Sequence, residues 1–240
     1  MDLILKNISR TYDDHVALDD CSFFVRGGSF TMIIGPNGSG KSTLLRIASL
    51  LESPDTGEAI YHDNGGPIKR DIFLKRKIAV VLPGNSLFND TVFNNVAYGL
   101  RVRDMNRHVV RERVHDILER FQLSGKAYRN ALTLSSGESQ RTALSRALVT
   151  GPEYLFLDEP TASLDPVNTE IIEKVLNDIV TGDGMTVVMI THNMFQARRL
   201  ADRVAFIYGG RVIEEAKSEK IFSSPRKDLT RGFVTGKMVW

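Results

Sequence analysis

Runs of four or five apolar residues recur along this chain and predict buried strands at 30–34, 78–82, 154–157, 186–190 and 204–208. Between them, apolar residues repeat at intervals of three and four, as in the predicted helices 42–51 and 168–180. We expect the second helix to bury its apolar residues Ile171, Ile172, Val175, Leu176 and Ile179. Strands that alternate with helices predict an α/β fold, a mostly parallel sheet with helices on both faces.

Two stretches depart from this alternation. The first thirty residues combine short β-like runs with turn signals, and we assign them to an N-terminal antiparallel β-subdomain. From about 88 to 150 the pattern is helical, with one face that carries Val110, Val114, Ile117, Leu118 and Phe121. We therefore expect one domain over 1–240 that comprises a core (1–87 and 151–216), an inserted α-helical lobe (88–150) and a C-terminal tail (217–240).

Composition narrows the class of protein. The 240 residues include 42% hydrophobic and 25% charged residues, and a net charge of +2 is too mild to argue for a nucleic-acid partner. No apolar run approaches the roughly 20 residues that span a bilayer, and the apolar stretch near Met1 is too short for a signal peptide. The single Cys21 excludes an internal disulfide. These features favour a cytoplasmic setting.

A phosphate-binding loop follows the first apolar strand. The motif G-x-x-x-x-G-K-[ST] is met by Gly35, Pro36, Asn37, Gly38, Ser39, Gly40, Lys41, Ser42 and Thr43. Backbone amides of such a loop surround phosphates, and the following helix adds its dipole. We expect Lys41 to reach the β- and γ-phosphates and the Ser42 hydroxyl to bind Mg²⁺. A chance glycine-rich turn is disfavoured because the motif lies between a strand and a helix.

Acidic and imidazole side chains follow two later strands. Asp158 and Glu159 end the apolar run that starts at Tyr154, which suits Asp158 for orienting Mg²⁺ and Glu159 for polarising the attacking water. His192 follows the strand 186–190, at the end of a strand where α/β sheets place ligands. The alternatives are two acids that begin a loop and a structural histidine. The nearby phosphate-binding loop favours the catalytic interpretation.

The segment LSSGESQR, from Leu134 to Arg141, carries two interpretations. Ser135 and Glu138 have the S-x-x-E spacing of a helix-capping box. A helix N-terminus with free amides and small residues is equally suited to bind an anion. The capping box is the more common reason for such a spacing, and only the other motifs of the chain favour the anion site.

Five motifs in order resemble those of the ATP-binding subunit of ABC transporters, over nearly the whole chain. They are GPNGSGKST, LSSGESQR, YLFLDEP, Ser163-Leu164-Asp165 and His192. The resemblance implies an ATPase that uses ATP and Mg²⁺ and works as a head-to-tail homodimer. Each ATP would lie between the phosphate-binding loop of one copy and Leu134, Ser135, Ser136, Gly137 and Glu138 of the other. It also implies that Asp165 belongs to the D-loop between the copies.

The resemblance extends to Tyr12 and to partners. It implies that Tyr12 stacks on adenine, although a packed aromatic at a strand end is an equal alternative. The expected partners are integral membrane permease subunits and, indirectly, an extracytoplasmic substrate-binding protein, with no nucleic acid. The subunit would then lie on the cytoplasmic face of the membrane.

The expected class of cargo comes from a second resemblance, which covers less of the chain. The stretch 87–100, LFNDTVFNNVAYGL, resembles the corresponding part of tungstate and related oxyanion importers. The ending 232–240 resembles the tail of small importer subunits, without the extra C-terminal β-domain of longer molybdate and sugar importers. We expect an importer of an oxyanion such as tungstate, with molybdate, sulfate or an amino acid as alternatives.

Two positions depart from the family pattern. Pro83 stands where the family has the Q-loop glutamine, and proline has no side-chain amide to contact Mg²⁺ or water. Ser136 replaces a glycine and adds a side chain to a phosphate-facing turn. Glu138, in place of a common glutamine, brings an acid near a polyanion. These departures predict slow basal hydrolysis, unless Asn85 takes over the polar contact or Pro83 only tightens the turn.

Two other classes are less consistent with the sequence. ABC ATPases that act on DNA carry long coiled coils or zinc cysteines, and those that act on ribosomes usually carry two such domains in one chain. This chain has no heptad repeat, a single cysteine and one domain's set of motifs. A GTP-binding switch would need an N-K-x-D motif, which is absent from the sequence.

Overall fold

The computed structural model describes residues 1–84 and 86–237. In chain order its elements are β1 (Asp2–Tyr12), β2 (His15–Val25), β3 (Phe30–Ile34), α1 (Lys41–Ala48), β4 (Thr56–Asp63), β5 (Gly66–Pro67), α2 (Ile72–Arg76), β6 (Ile78–Val81), α3 (Val92–Arg101), α4 (Arg107–Arg120), α5 (Ser136–Leu148), β7 (Tyr154–Asp158), α6 (Pro166–Thr181), β8 (Thr186–Ile190), α7 (Met194–Leu200), β9 (Arg203–Tyr208), β10 (Arg211–Lys217), α8 (Ser218–Ser223) and α9 (Asp228–Val234). Single 3₁₀ turns lie at Ser124–Lys126 and Ala131–Thr133.

The predicted α/β fold is confirmed by a six-stranded sheet of order β10-β9-β3-β8-β7-β6. All its neighbouring strands are parallel except β9 and β10, which form an antiparallel hairpin. All residues of β3, β7 and β8 are buried, because parallel strands are covered on both faces. The continuous apolar runs in the sequence reflect this double coverage.

The predicted N-terminal β-subdomain is a four-stranded antiparallel sheet of order β2-β1-β4-β5. Its inner face contributes Leu5 and Phe23 to a core that also contains Leu44 and Leu45 of α1. Because α1 lies between the two sheets, the loop that precedes α1 is held by both of them.

The helical stretch between β6 and β7 consists mainly of α3, α4 and α5. The predicted apolar face of α4 is confirmed, since Val110, Val114, Ile117, Leu118 and the following Phe121 are all buried. These residues share one core with the outer face of the parallel sheet. The helices therefore rest on the sheet rather than extend away from it.

Three details of the predicted helices were wrong. Helix α1 ends at Ala48 rather than at 51, because Leu50 adopts a φ of +59° that a right-handed helix excludes. Helix α6 starts at Pro166 rather than at 168, since the Asp165 side chain caps it. Ile171 is half-buried rather than buried. No helix in the described part of the chain is long and apolar enough to cross a bilayer.

Candidate nucleotide-binding and catalytic site

The loop between β3 and α1 packs directly against neighbouring backbone at two glycines, where there is no space for a side chain. A Cβ on Gly35 would lie 2.2 Å from the carbonyl oxygen of Ile207, and one on Gly40 would lie 2.4 Å from that of Ala17. Gly40 also has a φ of +97°, which disfavours any larger residue. The glycines of the sequence motif are therefore required by the fold itself.

The same loop carries hydrogen-bond donors without partners, which suit the binding of an anion. Helix α1 has no side-chain cap, so the amides of its first turn have no acceptor within the helix. The Ser39 hydroxyl is buried and has no hydrogen-bond partner. Space near Gly38 is open, with no atom within 4 Å of a Cβ built there. These unused donors around an open space fit the phosphates of a nucleotide.

Lys41 folds over this loop. Its Nζ donates hydrogen bonds to the carbonyl oxygens of Gly35, at 3.0 Å, and Pro36, at 2.7 Å. Burial lowers the pKa of Lys41, while the nearby carboxylates of Glu159 and Asp158 act to raise it. The ammonium is thus held at the loop by weak acceptors that phosphate oxygens can replace.

Asp158 ends β7 beside α1. Its side chain is 4% exposed and accepts a hydrogen bond from the Ser42 hydroxyl. Desolvation raises the pKa of Asp158, more than this hydrogen bond and the nearby positive charges lower it. A carboxylate and a hydroxyl are the hard oxygen ligands that Mg²⁺ prefers, so this pair fits the predicted metal site.

Glu159 and His192 face each other across the ends of β7 and β8. Glu159 Oε1 lies 2.8 Å from His192 Nε2, and about one third of each side chain is exposed. The Glu159 backbone has a φ of +51°, and its amide donates to the carbonyl oxygen of Ile190 at 3.1 Å. This turn presents both side chains at the same edge of the sheet as Asp158, within reach of water.

A buried amide that we did not predict joins the loops behind Glu159 and His192. Gln196 is fully buried in α7; its Oε1 accepts from the Thr191 hydroxyl at 2.7 Å, and its Nε2 donates to Thr161 at 3.0 Å and to Glu173 at 2.9 Å. Arg199 completes the group through Glu173. The only sequence signal is a polar residue four positions after His192, which does not reveal burial.

The LSSGESQR segment forms the predicted capping box at the start of α5. Ser135 Oγ accepts from the Glu138 amide at 3.3 Å, and Glu138 Oε2 accepts from the Ser135 amide at 3.1 Å. Gly137 lies against Asn168, whose Cγ would be 2.3 Å from a Cβ at that position. Ser136 is exposed, so no residue within 1–84 or 86–237 crowds its side chain. Leu134 is half-buried and packs on the main core.

Asp165, the predicted D-loop residue, lies next to this segment. It accepts a hydrogen bond from the Asn168 amide at 2.9 Å and also pairs with the Asn168 side chain, which covers Gly137. Within the described residues, no hydrogen bond or ion pair joins Gly35–Thr43 to Leu134–Glu138. The two groups of predicted nucleotide contacts therefore make no polar contact with each other in the described part of one chain.

Two further predicted residues have local partners. The Tyr12 hydroxyl donates to Glu52, and the Arg10 guanidinium lies 4.9 Å above the Tyr12 ring. An adenine base would therefore have to stack on the face of the Tyr12 ring that is opposite Arg10. Pro83 follows β6 and is exposed, which leaves its role in hydrolysis a prediction. Asn85, the suggested substitute for the missing glutamine, lies outside the described residues.

Comparison with known proteins agrees with this geometry. A family model described as ABC transporter matches residues 18–162. The chain is 37% identical to a probable anion import ATP-binding protein of Haloferax volcanii, over 99% of this chain and 88% of that protein. It is also 37% identical to the phosphate import ATP-binding protein PstB 2 of Natronomonas pharaonis, over 99% and 88%.

A third relative and a solved structure complete the comparison. The methionine import ATP-binding protein MetN of Cereibacter sphaeroides is 39% identical over 92% of this chain and 64% of that protein. The ATP-binding cassette MJ0796, solved as a dimer bound to ADP and Pi, superposes with a TM-score of 0.81 at 31% identity, over 90% and 98%. The chain belongs to the ABC transporter family and is one of its ATPase subunits.

Replacing Asp158 with asparagine should stabilise the nucleotide-free protein. Because the native pKa of Asp158 is raised, its ionisation costs stability, and the unfolding free energy falls as pH rises from the unfolded pKa through the native one. Asp158→Asn should therefore raise the melting temperature at about pH 7.5 and have less effect near pH 4. Thermal unfolding without nucleotide measures this, with Asp183→Asn on the surface as the control. A lower melting temperature for Asp158→Asn at about pH 7.5 would contradict this explanation.

Replacing Gln196 with leucine should destabilise the fold. Thr191 and Glu173 would lose a buried partner, at a cost of about 1–3 kcal/mol. Denaturant unfolding measures this loss. The matched control is Gln140→Leu on α5, where the side chain makes no hydrogen bond to the described residues. Equal stability of the two variants would exclude a structural role for the buried network.

Proposed function

We propose that this chain is the ATP-binding and ATP-hydrolysing subunit of an ABC importer, and that it works as a homodimer. The observation that carries the proposal is the meeting of Lys41, Ser42, Asp158, Glu159 and His192 at one edge of the sheet. The lack of a polar contact between the phosphate-binding loop and Leu134–Glu138 among the described residues agrees with a site completed by a second copy. A relative of the same fold has been solved as a dimer.

Each residue of the site has a distinct task in this proposal. Lys41 moves from the Gly35 and Pro36 carbonyls to the β- and γ-phosphates. Ser42 and Asp158 would hold Mg²⁺, which when bound would neutralise charge on the phosphates. Glu159 accepts a proton from the attacking water, and His192, 2.8 Å away, orients Glu159 and the γ-phosphate. Tyr12 stacks on the base, and Asp165 contacts the opposite copy.

The domain organisation follows from this assignment. Residues 1–87 and 151–216 would bind the nucleotide, 88–150 would act as a movable helical lobe, and 217–240 would form a tail. Closure of the dimer on ATP would press the lobe against short helices of a permease, and hydrolysis would release it. An extracytoplasmic substrate-binding protein would then deliver cargo on the other side of the membrane.

A surface groove between the sheet and the helical lobe suits the permease contact. It has a volume of about 670 Å³ and is lined on one side by the loop after β6, including Pro83, and on the other by α3 and α5. Phe88 and Tyr98 lie in it with ring centroids 5.0 Å apart, and Arg146 lies 5.4 Å above the Phe88 ring. A partner there would place the subunit on the cytoplasmic face of the membrane.

An oxyanion is the cargo that we propose. Relatives named for anion and phosphate import match almost the whole chain, while a methionine importer at 39% identity keeps an amino acid as the alternative. The proposal that this oxyanion is tungstate rests only on the resemblance of residues 87–100 to tungstate importers. Uptake of tungstate, molybdate, sulfate, phosphate and methionine in cells with and without this gene tests the cargo. Loss of methionine uptake alone would contradict an oxyanion.

Replacing Glu159 with glutamine should stop hydrolysis but keep ATP binding. Removal of a general base typically lowers turnover by about 10²–10⁴-fold, and the ATP-bound dimer should then accumulate. Steady-state ATPase assays and sedimentation with ATP measure both effects. The control is Glu153→Gln, at the opposite end of β7, where the carboxylate pairs with exposed Lys77. Undiminished turnover of Glu159→Gln would remove Glu159 from the role of base.

Replacing Pro83 with glutamine should raise ATP turnover. The restored amide could contact Mg²⁺ or the water, and one hydrogen bond of about 1 kcal/mol corresponds to an increase of about fivefold. Pro83→Ala is the control, because it removes the proline ring without adding an amide. Equal turnover for the glutamine variant and the parent, or an equal rise in both variants, would reject the amide contact.

A further inference from the structure

Glu138 places a negative charge in the first turn of α5. Its carboxylate is hydrogen-bonded on both oxygens, because Oε2 accepts from the Ser135 amide and Oε1 from Lys126 Nζ at 2.5 Å. Both partners lie within this chain. The carboxylate therefore has a fixed position at the helix N-terminus, which is the end of a helix that attracts anions.

This position creates an electrostatic conflict in the proposed site. The helix N-terminus would face the phosphates of a nucleotide held by the other copy. A carboxylate there repels the phosphates and opposes the helix dipole, and the effect is strong where a closed dimer excludes water. An isolated Glu138 would thus weaken the closure that ATP has to drive.

Lys126 is the only cation in the described part of the chain that forms an ion pair with Glu138. It belongs to the turn Ser124–Lys126, and its side chain is 35% exposed against 17% for Glu138. Arg141 also lies near Glu138 and adds a smaller electrostatic contribution, but its Nη1 donates to the Phe121 carbonyl at 2.6 Å rather than to the carboxylate. Lys126 is therefore the main source of charge compensation for Glu138.

We propose that Lys126 is a positioning residue for nucleotide-driven dimerisation: its ion pair with Glu138 keeps the N-terminus of α5 able to receive phosphate. This inference rests on the proposed function, since it requires the nucleotide to bridge two copies. It also explains how a glutamate is accommodated where the family commonly has glutamine. The pair is local to this chain and leaves the Ser135 cap intact.

A double-mutant cycle tests the pair. Lys126→Met, Glu138→Gln and the double variant are made in the Glu159→Gln background, and the ATP concentration for half-maximal dimerisation is measured by sedimentation. Loss of a partly exposed ion pair predicts about a fivefold higher concentration for Lys126→Met. Adding Glu138→Gln should restore the concentration to about the parent value, because no charge is left to compensate. Added salt should reduce the defect of Lys126→Met.

A purely structural ion pair gives a different pattern. Both single variants would then lose thermal stability, and the second substitution would not rescue dimerisation. The control is Lys77→Met, which removes the partly exposed pair with Glu153 away from the site and should leave dimerisation unchanged.

The outcomes separate the two proposals. An unchanged ATP requirement for Lys126→Met, or a defect that Glu138→Gln does not rescue, would overturn the role of Lys126 alone. A Glu159→Gln parent that never dimerises with ATP would overturn the proposed function and this inference together.

Discussion

The hydrogen-bonded ladder of parallel strands β3, β8 and β7 is the constraint on which the site depends. It aligns Ile33 with Ile190 and Ile190 with Asp158, so that three strands end at the same edge. This register brings the residues that follow the strands to the same edge of the sheet. They are the phosphate-binding loop after β3, Glu159 after β7 and His192 after β8. A slip of one residue in this register would turn the side chains of a strand to the opposite face. Complete burial of the three strands opposes such a slip.

Several polar groups of the site lie in positions that destabilise the nucleotide-free protein. Burial lowers the pKa of Lys41 and raises the pKa of Asp158, and both shifts favour the neutral form of the side chain. The buried Ser39 hydroxyl has no hydrogen-bond partner among the described residues. Each of these groups would gain a charged partner if phosphate and a cation were bound. Burial of these groups therefore costs the nucleotide-free protein some stability. Binding of a nucleotide would recover that stability, which links occupancy of the site to the state of the whole sheet.

Much of the fold and part of the site could be predicted from the sequence, and the exceptions have physical causes. Strands 30–34 and 186–190 were predicted to the residue, because double burial leaves a continuous apolar run. The capping box was predicted from a three-residue spacing. Gln196 and Lys126 were not, since each acts through partners distant in sequence or on another element. The cargo also could not be predicted firmly from the stretch 87–100. Buried Asn95 in that stretch forms hydrogen bonds with the backbone of Phe88 and Thr91, so this part of the stretch has a structural role in a loop.

The central claim is that one ATP site is built from two copies of this chain. The most direct test mixes two inactive variants, Lys41→Met and Ser135→Asp, the second of which keeps a helix cap but adds a charge against phosphate. In a two-fold dimer, a mixed pair has one site with both defects and one with neither. The account predicts that an equal mixture regains roughly a quarter of the parent ATPase rate, since half the dimers are mixed and each has one intact site. A mixture no more active than its separate components would contradict it.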